Sequence, residues 1–399
     1  MNVLVINCGS SSIKYQLFNM NDESILASGL VEKIGTESAI ITYDVPGKEE
    51  KVVTGEILDH REGLNKVLRL LMNKEDGVIQ SASEVAAVGH RVVHGGEFFS
   101  SSAVIDSEVR QAIRKTIDLA PLHNPAHLLG IDAAQIQLPD AVHVAVFDTA
   151  FHQTMPEYAY MYPLPRVLYQ KYKVRRYGAH GTSHKYVSNR VAAVLQRPID
   201  ELKIVSCHIG NGASVTAVEN GKSVDTSMGM TPLEGLMMGT RCGDIDPAIV
   251  PFVIAKEELT LSEVNSMMNK HSGLLGISGF SDMREVTEAM FSGNEAAKLA
   301  FDMYVYRLRK KIGSYIAAMN GIDVLVFTAG VGENSAIFRE RVCDGLTFFG
   351  IELDHEQNEI RSKEERHIST KNSKVEVLII PTNEELMIAR EAKALVETA

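Results

Sequence analysis

The chain has 399 residues, enough for two domains with a core in each, and its 45% hydrophobic and 23% charged residues are ordinary for a water-soluble globular protein. A formal net charge of −11, with no concentrated Lys/Arg block, argues against a nucleic-acid partner; no apolar run approaches a membrane span, and the start lacks the basic flank of a signal peptide. Four scattered cysteines, Cys8, Cys207, Cys242 and Cys343, form no CxxC pair and suit reduced thiols in a cytoplasmic enzyme or ATP-driven machine.

In chain order, Val3-Leu4-Val5-Ile6 precedes Asn7-Cys8-Gly9-Ser10-Ser11-Ser12-Ile13-Lys14, and Ile13 to Phe18 alternates roughly apolar and polar. This spacing predicts strand, tight turn, strand. The turn offers backbone N–H groups and three hydroxyls to one small volume, which suits a phosphate; an ordinary serine-rich hairpin is the alternative. Residues 30–56 read as short strands with Ala39-Ile40-Ile41 and Val52-Val53 as their cores, and Leu64, Val67, Leu68 and Leu71 mark a helix. Val85 to Val88 is a buried-type strand running into Gly89-His90-Arg91-Val92-Val93-His94-Gly95-Gly96. Its carboxyl end is a place where α/β sheets bind ligands, while a structural ion pair at Arg91 is the alternative. Asp106 caps a helix with Val109, Ile113 and Ile117 on one face, and Asn124-Pro125 opens a third helix. The strand Val142 to Phe147 ends at Asp148-Thr149; if it neighbours the Arg91 strand in a parallel sheet, both side chains overlook one crevice.

In the second half, a Tyr-rich stretch and Arg175-Arg176 lead to His180-Gly181-Thr182-Ser183-His184. Two histidines four apart suggest a metal pair, but the glycines around His180 favour a helix that begins after it. Ile204 to Ile209, Gly210-Asn211-Gly212-Ala213-Ser214 and Val215 to Val218 then repeat the opening strand–turn–strand layout, with a one-residue ambiguity in alignment. Two such copies can grip a polyphosphate from both sides. A Met- and Gly-rich loop, Met228 to Gly243, carries Arg241 and reads as core or subunit interface; Asp246-Pro247 starts a helix. Asn294 opens a long helix that buries Met303, Leu308, Ile312, Tyr315 and Met319 and ends at Asn320-Gly321. The strand Val324 to Phe327 ends in a glycine turn, Thr328 to Asn334, which suits the adenosine part of a nucleotide. After the strand Val375 to Ile380, Thr382-Asn383-Glu384-Glu385 has capping-box spacing. Glu385 would do the capping and leave Glu384 for other work or for the helix dipole. The amphipathic closing helix, Leu386 to Val396, is placed back on the first domain.

No GxxxxGK[ST], strand-borne GxGxxG or protein-kinase motif is present. The duplicated hairpin layout resembles the actin-like ATPase superfamily, and seven segments narrow the likeness to the acetate kinase family. They are residues 7–14 and 89–96, Phe147-Asp148-Thr149-Ala150-Phe151-His152, residues 180–184, His208-Ile209-Gly210-Asn211-Gly212, Gly239-Thr240-Arg241 and Pro381-Thr382-Asn383-Glu384-Glu385. The resemblance spans the chain in the family's order.

It implies an α/β fold of duplicated actin-like (ribonuclease H-like) domains with a nucleotide cleft between them. Residues 1–150 plus 385–399 would form one domain, and 151–384 the other, binding most of the nucleotide. The implied reaction is reversible transfer of the γ-phosphoryl group of ATP to acetate, giving acetyl phosphate and ADP. Arg91 and Arg241 are implied at the acyl or phosphoryl group, with His180 stabilising the transition state and Asp148 essential. Because acetate is already ionised at neutral pH, Asp148 is expected to orient Arg91 or metal-bound water and not to abstract a proton. Asn7 and Glu384 are implied at Mg2+ (or Mn2+), and Val93, Leu122 and Pro232 in the methyl pocket. Ser10, Ser12, Lys14, His208, Ile209, Gly210, Asn211 and Gly212 are implied at the phosphates, and His123 at the nucleotide. Asp282, Met283, Arg284, Gly330, Val331, Gly332, Glu333 and Asn334 are implied on the adenosine side. Ala179, where some relatives carry Phe, would leave room for propionate. The family is homodimeric. The rival readings are a propionate or butyrate kinase, a non-metabolic actin-like ATPase, and a zinc hydrolase.

Overall fold

The pairing of the first two strands sets a pattern used twice. In the computed structural model, which describes residues 1–121 and 123–398, β1 (Asn2–Cys8) is buried throughout Val3–Ile6 and pairs antiparallel with β2 (Ser12–Asn19). β3 (Ser24–Glu32), β4 (Thr36–Asp44) and β5 (Lys51–Ile57) continue the antiparallel meander. On its other side β1 pairs parallel with β6 (Val85–Val92). β7 (Ala103–Val104) and β8 (Val142–Phe147) complete a sheet of order β5-β4-β3-β2-β1-β6-β8-β7, with β6 and β8 parallel.

The second sheet repeats this plan. β9 (Lys203–Ile209), β10 (Ala213–Glu219) and β11 (Lys222–Thr226) form its antiparallel part, and β12 (Val324–Thr328), β13 (Arg366–His367) and β14 (Glu376–Ile379) follow. The order is β11-β10-β9-β12-β14-β13, with β9, β12 and β14 parallel. Thus β3-β2-β1-β6-β8 and β11-β10-β9-β12-β14 are one five-strand arrangement made twice, the duplicated actin-like design expected from the sequence. The one-residue ambiguity is a loop-length difference. Gly9–Ser12 separate the last pair of the first hairpin, Cys8 and Ile13, whereas only Gly210–Gly212 separate Ile209 and Ala213.

The chain divides into two compact units, one made of Met1–Gln153 and the segment from Asn383, the other of Thr154–Thr382. In the first, the alternation of a strand sends Leu4, Ile6 and Cys8 to one face of the sheet, against Leu64, Val67 and Leu68 of the His60–Leu71 helix and Ala133 and Ala134 of the Asn124–Gln137 helix. The closing helix, Glu384–Thr398, packs on β6, β1 and β8. It approaches so closely at Gly89 that a Cβ there would lie 2.6 Å from Ile388. In the second unit the Glu295–Ala318 helix is capped by Asn294, whose side chain accepts from Ala297 N–H at 3.0 Å, and is stopped by left-handed Asn320. Tyr304, Leu308, Ile312 and Tyr315 join Met228, Met237 and Met238 in its core.

Several local expectations are corrected. Val52 and Val53 are 58% and 43% exposed, because β5 is an edge strand. Ile117 is half-buried in a separate turn, Ile117–Leu119, beyond the Ser107–Lys115 helix. Asp246 accepts from Ala248 N–H at 2.9 Å and shapes a turn, so the helix starts only at Ile249. Met303 is half-buried. The glycine segment after β12 is itself a short helix, Ala329–Asn334. The cap of the closing helix is Asn383, whose Oδ1 accepts from Leu386 N–H at 2.9 Å, and not Thr382.

A Cβ built on Gly130 would lie 2.2 Å from Cys8 Sγ and 2.9 Å from Cys8 Cβ. Alanine would gain up to about 1 kcal/mol of helix propensity, yet overpacking costs about 1–3 kcal/mol, and the clash with a strand position wins. Gly130→Ala should therefore lower the melting temperature, and Cys8→Ala in that background should recover part of the loss. A stabilised single variant would contradict this packing.

Candidate active site

The parallel run β1-β6-β8 brings the ends of three strands side by side, so Asn7, Arg91 and Asp148 meet. Arg91 Nε and Nη2 donate to Asp148 Oδ2 at 3.0 and 2.5 Å, and Nη1 reaches Asn7 Oδ1 at 3.4 Å. The ion pair and the ligand-facing position are therefore compatible, since Asp148 fixes the orientation of the guanidinium. Burial opposes the charge on Arg91, but Asp148 and Glu384 outweigh it and raise its pKa. Neighbouring His127 is pushed down to about 3 by burial and by Arg91, so it is neutral.

Glu384, the first residue of the closing helix, is pushed up to about 7, first by burial and then by Asp148 and Glu385, against the pull of Arg91 and Lys14. The helix dipole alone would favour the ionised form, and it loses here. Lys14 is ion-paired with Glu385, so the latter is not the capping partner expected. Three carboxylates facing two cations leave one negative charge unanswered when all are ionised, which fits a divalent cation. Among the described residues no group of three or more His, Cys, Asp or Glu could enclose a metal alone. Asn7 and Glu384 fit magnesium, which retains water and takes phosphate oxygens as ligands.

The Gly9–Ser12 turn is closed by Gly9 N–H donating to Ser12 O at 2.9 Å and pinned by the His60 ring, whose Nε2 lies 2.7 Å from Gly9 O. Ser10 is exposed and Ser12 half-buried. Val93 is buried in a segment held by fully buried Asn124, whose Nδ2 donates to His94 O at 3.0 Å. His123 stands exposed just before the Asn124–Gln137 helix, and Leu122 lies outside the described residues. His60 and Asn124 carry no motif of their own; Asn124 reads in sequence only as a helix start.

In the second unit His180 precedes the Gly181–Leu195 helix in a left-handed conformation, φ 56°. Its Nδ1 is 2.9 Å from Ser214 Oγ, and its ring stacks on His208 with centroids 4.1 Å apart. The same Ser214 hydroxyl meets His184 Nε2 at 2.7 Å, while His184 Nδ1 meets Ser206 Oγ at 2.9 Å. Serine hydroxyls thus occupy both nitrogens of His184, which orders His180 and does not pair with it around a metal. His208 Nδ1 is held by Ser183 Oγ at 2.8 Å. A Cβ on Gly212 would come within 3.3 Å of Arg241 Nη1 and 3.7 Å of the His180 ring, so the turn, Arg241 and His180 converge. Arg241 donates to Pro232 O at 3.1 Å and approaches Met238 Sδ at 3.7 Å. Burial lowers its pKa, and no carboxylate offsets that.

Beyond the turn lies a cavity of about 1260 Å³, lined among others by Gly210, Asn211, Asp282, Met283, Arg284, Gly330, Val331, Glu333 and Asn334. His208, Ile209, Gly212 and Gly332 do not line it, and the Ile209 side chain is fully buried in the core. Glu333 also works inside the fold, accepting from Ala329 N–H at 2.7 Å and Thr382 N–H at 3.2 Å. Arg339, which the motifs do not reveal, is buried and donates to Gly332 O and Glu333 O at 2.9 Å and to Asn358 Oδ1 and O at 2.7 Å. It secures the carbonyl end of the Ala329–Asn334 helix against the cavity wall.

A model of the Acetokinase family matches residues 2–390. The chain belongs to this family. The acetate kinase of Symbiobacterium thermophilum is 58% identical over 397 residues, 99% of each chain, and that of Alkaliphilus metalliredigens 55% over 99% of this acetokinase and all of the relative. The crystal structure of Porphyromonas gingivalis acetate kinase superposes with a TM-score of 0.95 at 48% identity, covering 99% of both chains. A propionate kinase from Francisella tularensis gives 0.90 at 43%, covering 98% of this chain and 99% of its own.

The raised pKa of Glu384 has a defined sign. An unfolded glutamic acid ionises near 4.5, whereas the folded one keeps its proton to about 7, so the folded state binds more protons between these values. Its contribution to stability falls as pH rises through that window and then levels off. Melting temperatures of the ligand-free protein, measured across that range, should show this loss, and Glu384→Gln should remove it. An unchanged slope in the variant would assign the proton to another group.

Proposed function

We propose that this acetokinase transfers the γ-phosphoryl group of ATP to the carboxylate of acetate, forming acetyl phosphate and ADP, and catalyses the reverse reaction. The reading is carried by Arg241, a desolvated guanidinium bonded to a carbonyl with no carboxylate beside it, in a chain whose full-length relatives are named acetate kinases. A carboxylate oxygen of acetate attacks phosphorus, the new O–P bond forms, and the bond to the leaving ADP oxygen breaks with its electron pair. No proton need move, because a carboxylic acid with a pKa below about 5 is ionised at neutral pH. The obstacle is charge: two unit charges about 4 Å apart repel by roughly 4 kcal/mol at an effective dielectric near 20.

Arg91 and Arg241 offset that repulsion and orient the two anions. Asp148 holds Arg91 in place and takes no proton. His180, its Nδ1 engaged by Ser214, presents the other edge of its ring on the Gly212 and Arg241 side, where it stabilises charge on the phosphoryl oxygens. Asn7 and Glu384 would hold magnesium, which when bound would neutralise part of the phosphate charge. The Gly9–Ser12 and Gly210–Gly212 turns, with Lys14 and His208, hold the phosphates, and the cavity beside Gly330 and Asp282 takes the adenosine. Val93 and Pro232 are assigned to the methyl group, and buried Ala179 to a place that leaves room for propionate.

The test is an acyl phosphate assay with hydroxylamine over a panel of carboxylates. Acetate should give product, propionate should follow within about 200-fold in kcat/KM, and ADP release independent of any carboxylate would overturn the reading in favour of an ATPase. Arg91→Ala and Arg241→Ala should each lose most of kcat while ATP binding survives; nucleotide binding abolished in both would put these residues on the wrong substrate.

The enzyme is further read as a cytoplasmic homodimer. No helix among the described residues is long and apolar enough to cross a membrane, and Cys8, Cys207 and Cys343 are buried as free thiols. The apolar Ile249–Glu257 helix buries none of its residues within the chain, with Phe252 61% exposed, which suits a second copy. A mass of one chain by light scattering at micromolar concentration would remove the dimer.

A further inference from the structure

The loop that carries Pro232 is closed by a polar cluster outside the proposed site. Arg176 Nη2 donates to Glu234 Oε1 at 2.6 Å, and Nη1 donates to the carbonyls of Thr226, Ser227 and Met228 at 2.7, 3.1 and 3.2 Å. The second carboxylate oxygen of Glu234 accepts from Tyr162 OH, and that hydroxyl accepts from Met230 N–H at 2.9 Å. The chain of bonds therefore ties residues 226–228, 230 and 234 to one carboxylate. Gly229 lies in the middle, where a Cβ would fall 1.7 Å from Glu234 Oε2 and 2.3 Å from Tyr162 OH. The backbone passes there only because the side chain is absent.

Pro232 is the apex between the two anchors, Met230 and Glu234. Having no N–H, it can be held only through its carbonyl, and that carbonyl accepts from Arg241 Nη1 at 3.1 Å. Just past Glu234, the backbones of Gly235 and Asp244 are joined by Asp244 N–H donating to Gly235 O at 2.8 Å, and Gly235 N–H donates to Asp244 Oδ1 at 2.7 Å. Both ends of the segment that carries Arg241 are thus fixed at the foot of the same loop.

We propose that Glu234, with Arg176 and Tyr162, is a positioning group that sets Pro232 and Arg241 against the acyl group and so tunes selection among short-chain carboxylates. The proposal rests on the reading that Pro232 and Arg241 face the acyl substrate. Glutamine at 234 offers one acceptor oxygen and an NH2 group where the cluster requires two acceptors, so either Arg176 or the Tyr162 hydroxyl proton loses its acceptor. Phenylalanine at 162 keeps the ring and removes only the bonds to Glu234 and Met230.

The test measures kcat and KM for acetate, propionate and ATP in the full-length protein carrying Glu234→Gln or Tyr162→Phe, with melting temperatures alongside. In both variants the acetate-to-propionate ratio of kcat/KM should shift by at least about threefold while KM for ATP stays within about twofold. Acetate kcat/KM should fall by about tenfold in Glu234→Gln and less in Tyr162→Phe. Equal losses for both acids with a rising KM for ATP, or an unchanged ratio in folded Tyr162→Phe, would overturn the proposal. Should Glu234→Gln fail to fold, the Tyr162→Phe ratio decides. A wild-type protein inactive toward every carboxylate would instead remove the parent reading, which is a distinct outcome.

Discussion

A guanidinium group drawn out of water needs fixed acceptors, and the way Arg91, Arg176, Arg241 and Arg339 find them shapes each unit. Arg91 is answered by a carboxylate, Asp148, and Arg176 by Glu234 together with three carbonyls. The donors of Arg339 are taken up by carbonyl and amide oxygens, and its pKa is lowered to about 10 by burial and by Arg366 against the weaker pull of Glu359. Arg241 differs from all three. Among the described residues it bonds to one carbonyl and approaches a thioether, so an incoming anion gains more there than at any guanidinium whose charge is already met. The first three arginines act on the chain itself, fixing a strand end, a loop and a helix terminus. The fourth keeps its charge for a ligand.

The repeated hairpins, the parallel strands between helices and the order of motifs were legible in the sequence because they rest on local patterns. Burial on both faces makes β1 and β9 read as short apolar runs, and Asn294 or Asp106 announces a helix from the residue before it. What the sequence did not reveal depends on the partners brought by folding. Val52 and Val53 have a strand's composition, yet only the sheet order places them at an edge. Thr382-Asn383-Glu384-Glu385 fits a capping box in spacing, but Lys14 claims Glu385 and the cap passes to Asn383. Arg91 and Arg241 were visible as arginines in motif-like stretches. Ser214 was read as the end of the glycine turn, but it lies in β10, and its hydroxyl's link between His180 and His184 depends on partners that only folding brings near. Nothing local to Glu234, Arg339 or Asn124 separates it from a surface residue.

The two turns are not equal despite the shared topology. The first is followed by Lys14, already engaged by Glu385, and stands beside carboxylates that include one held protonated to about 7. The second stands among histidines, serines and a guanidinium without a counter-ion. One duplicated backbone thus supports two electrostatic environments, one suited to a cation and its phosphate, the other to anions alone. That division comes from side chains at strand ends, where the sheet geometry fixes position but leaves chemistry open.

The closing helix belongs to the same unit as β1, although more than two hundred residues of the other unit intervene in the chain. Gly89 in β6 is shaped to receive Ile388, a residue made after the whole of the other unit. The second unit is continuous in the chain and has its own core, so during synthesis it emerges whole while the first still lacks a covering for one face of its sheet. Covering of that sheet therefore waits on a helix made after the whole of the other unit, and Glu384 joins the Arg91–Asp148 pair only at that later contact.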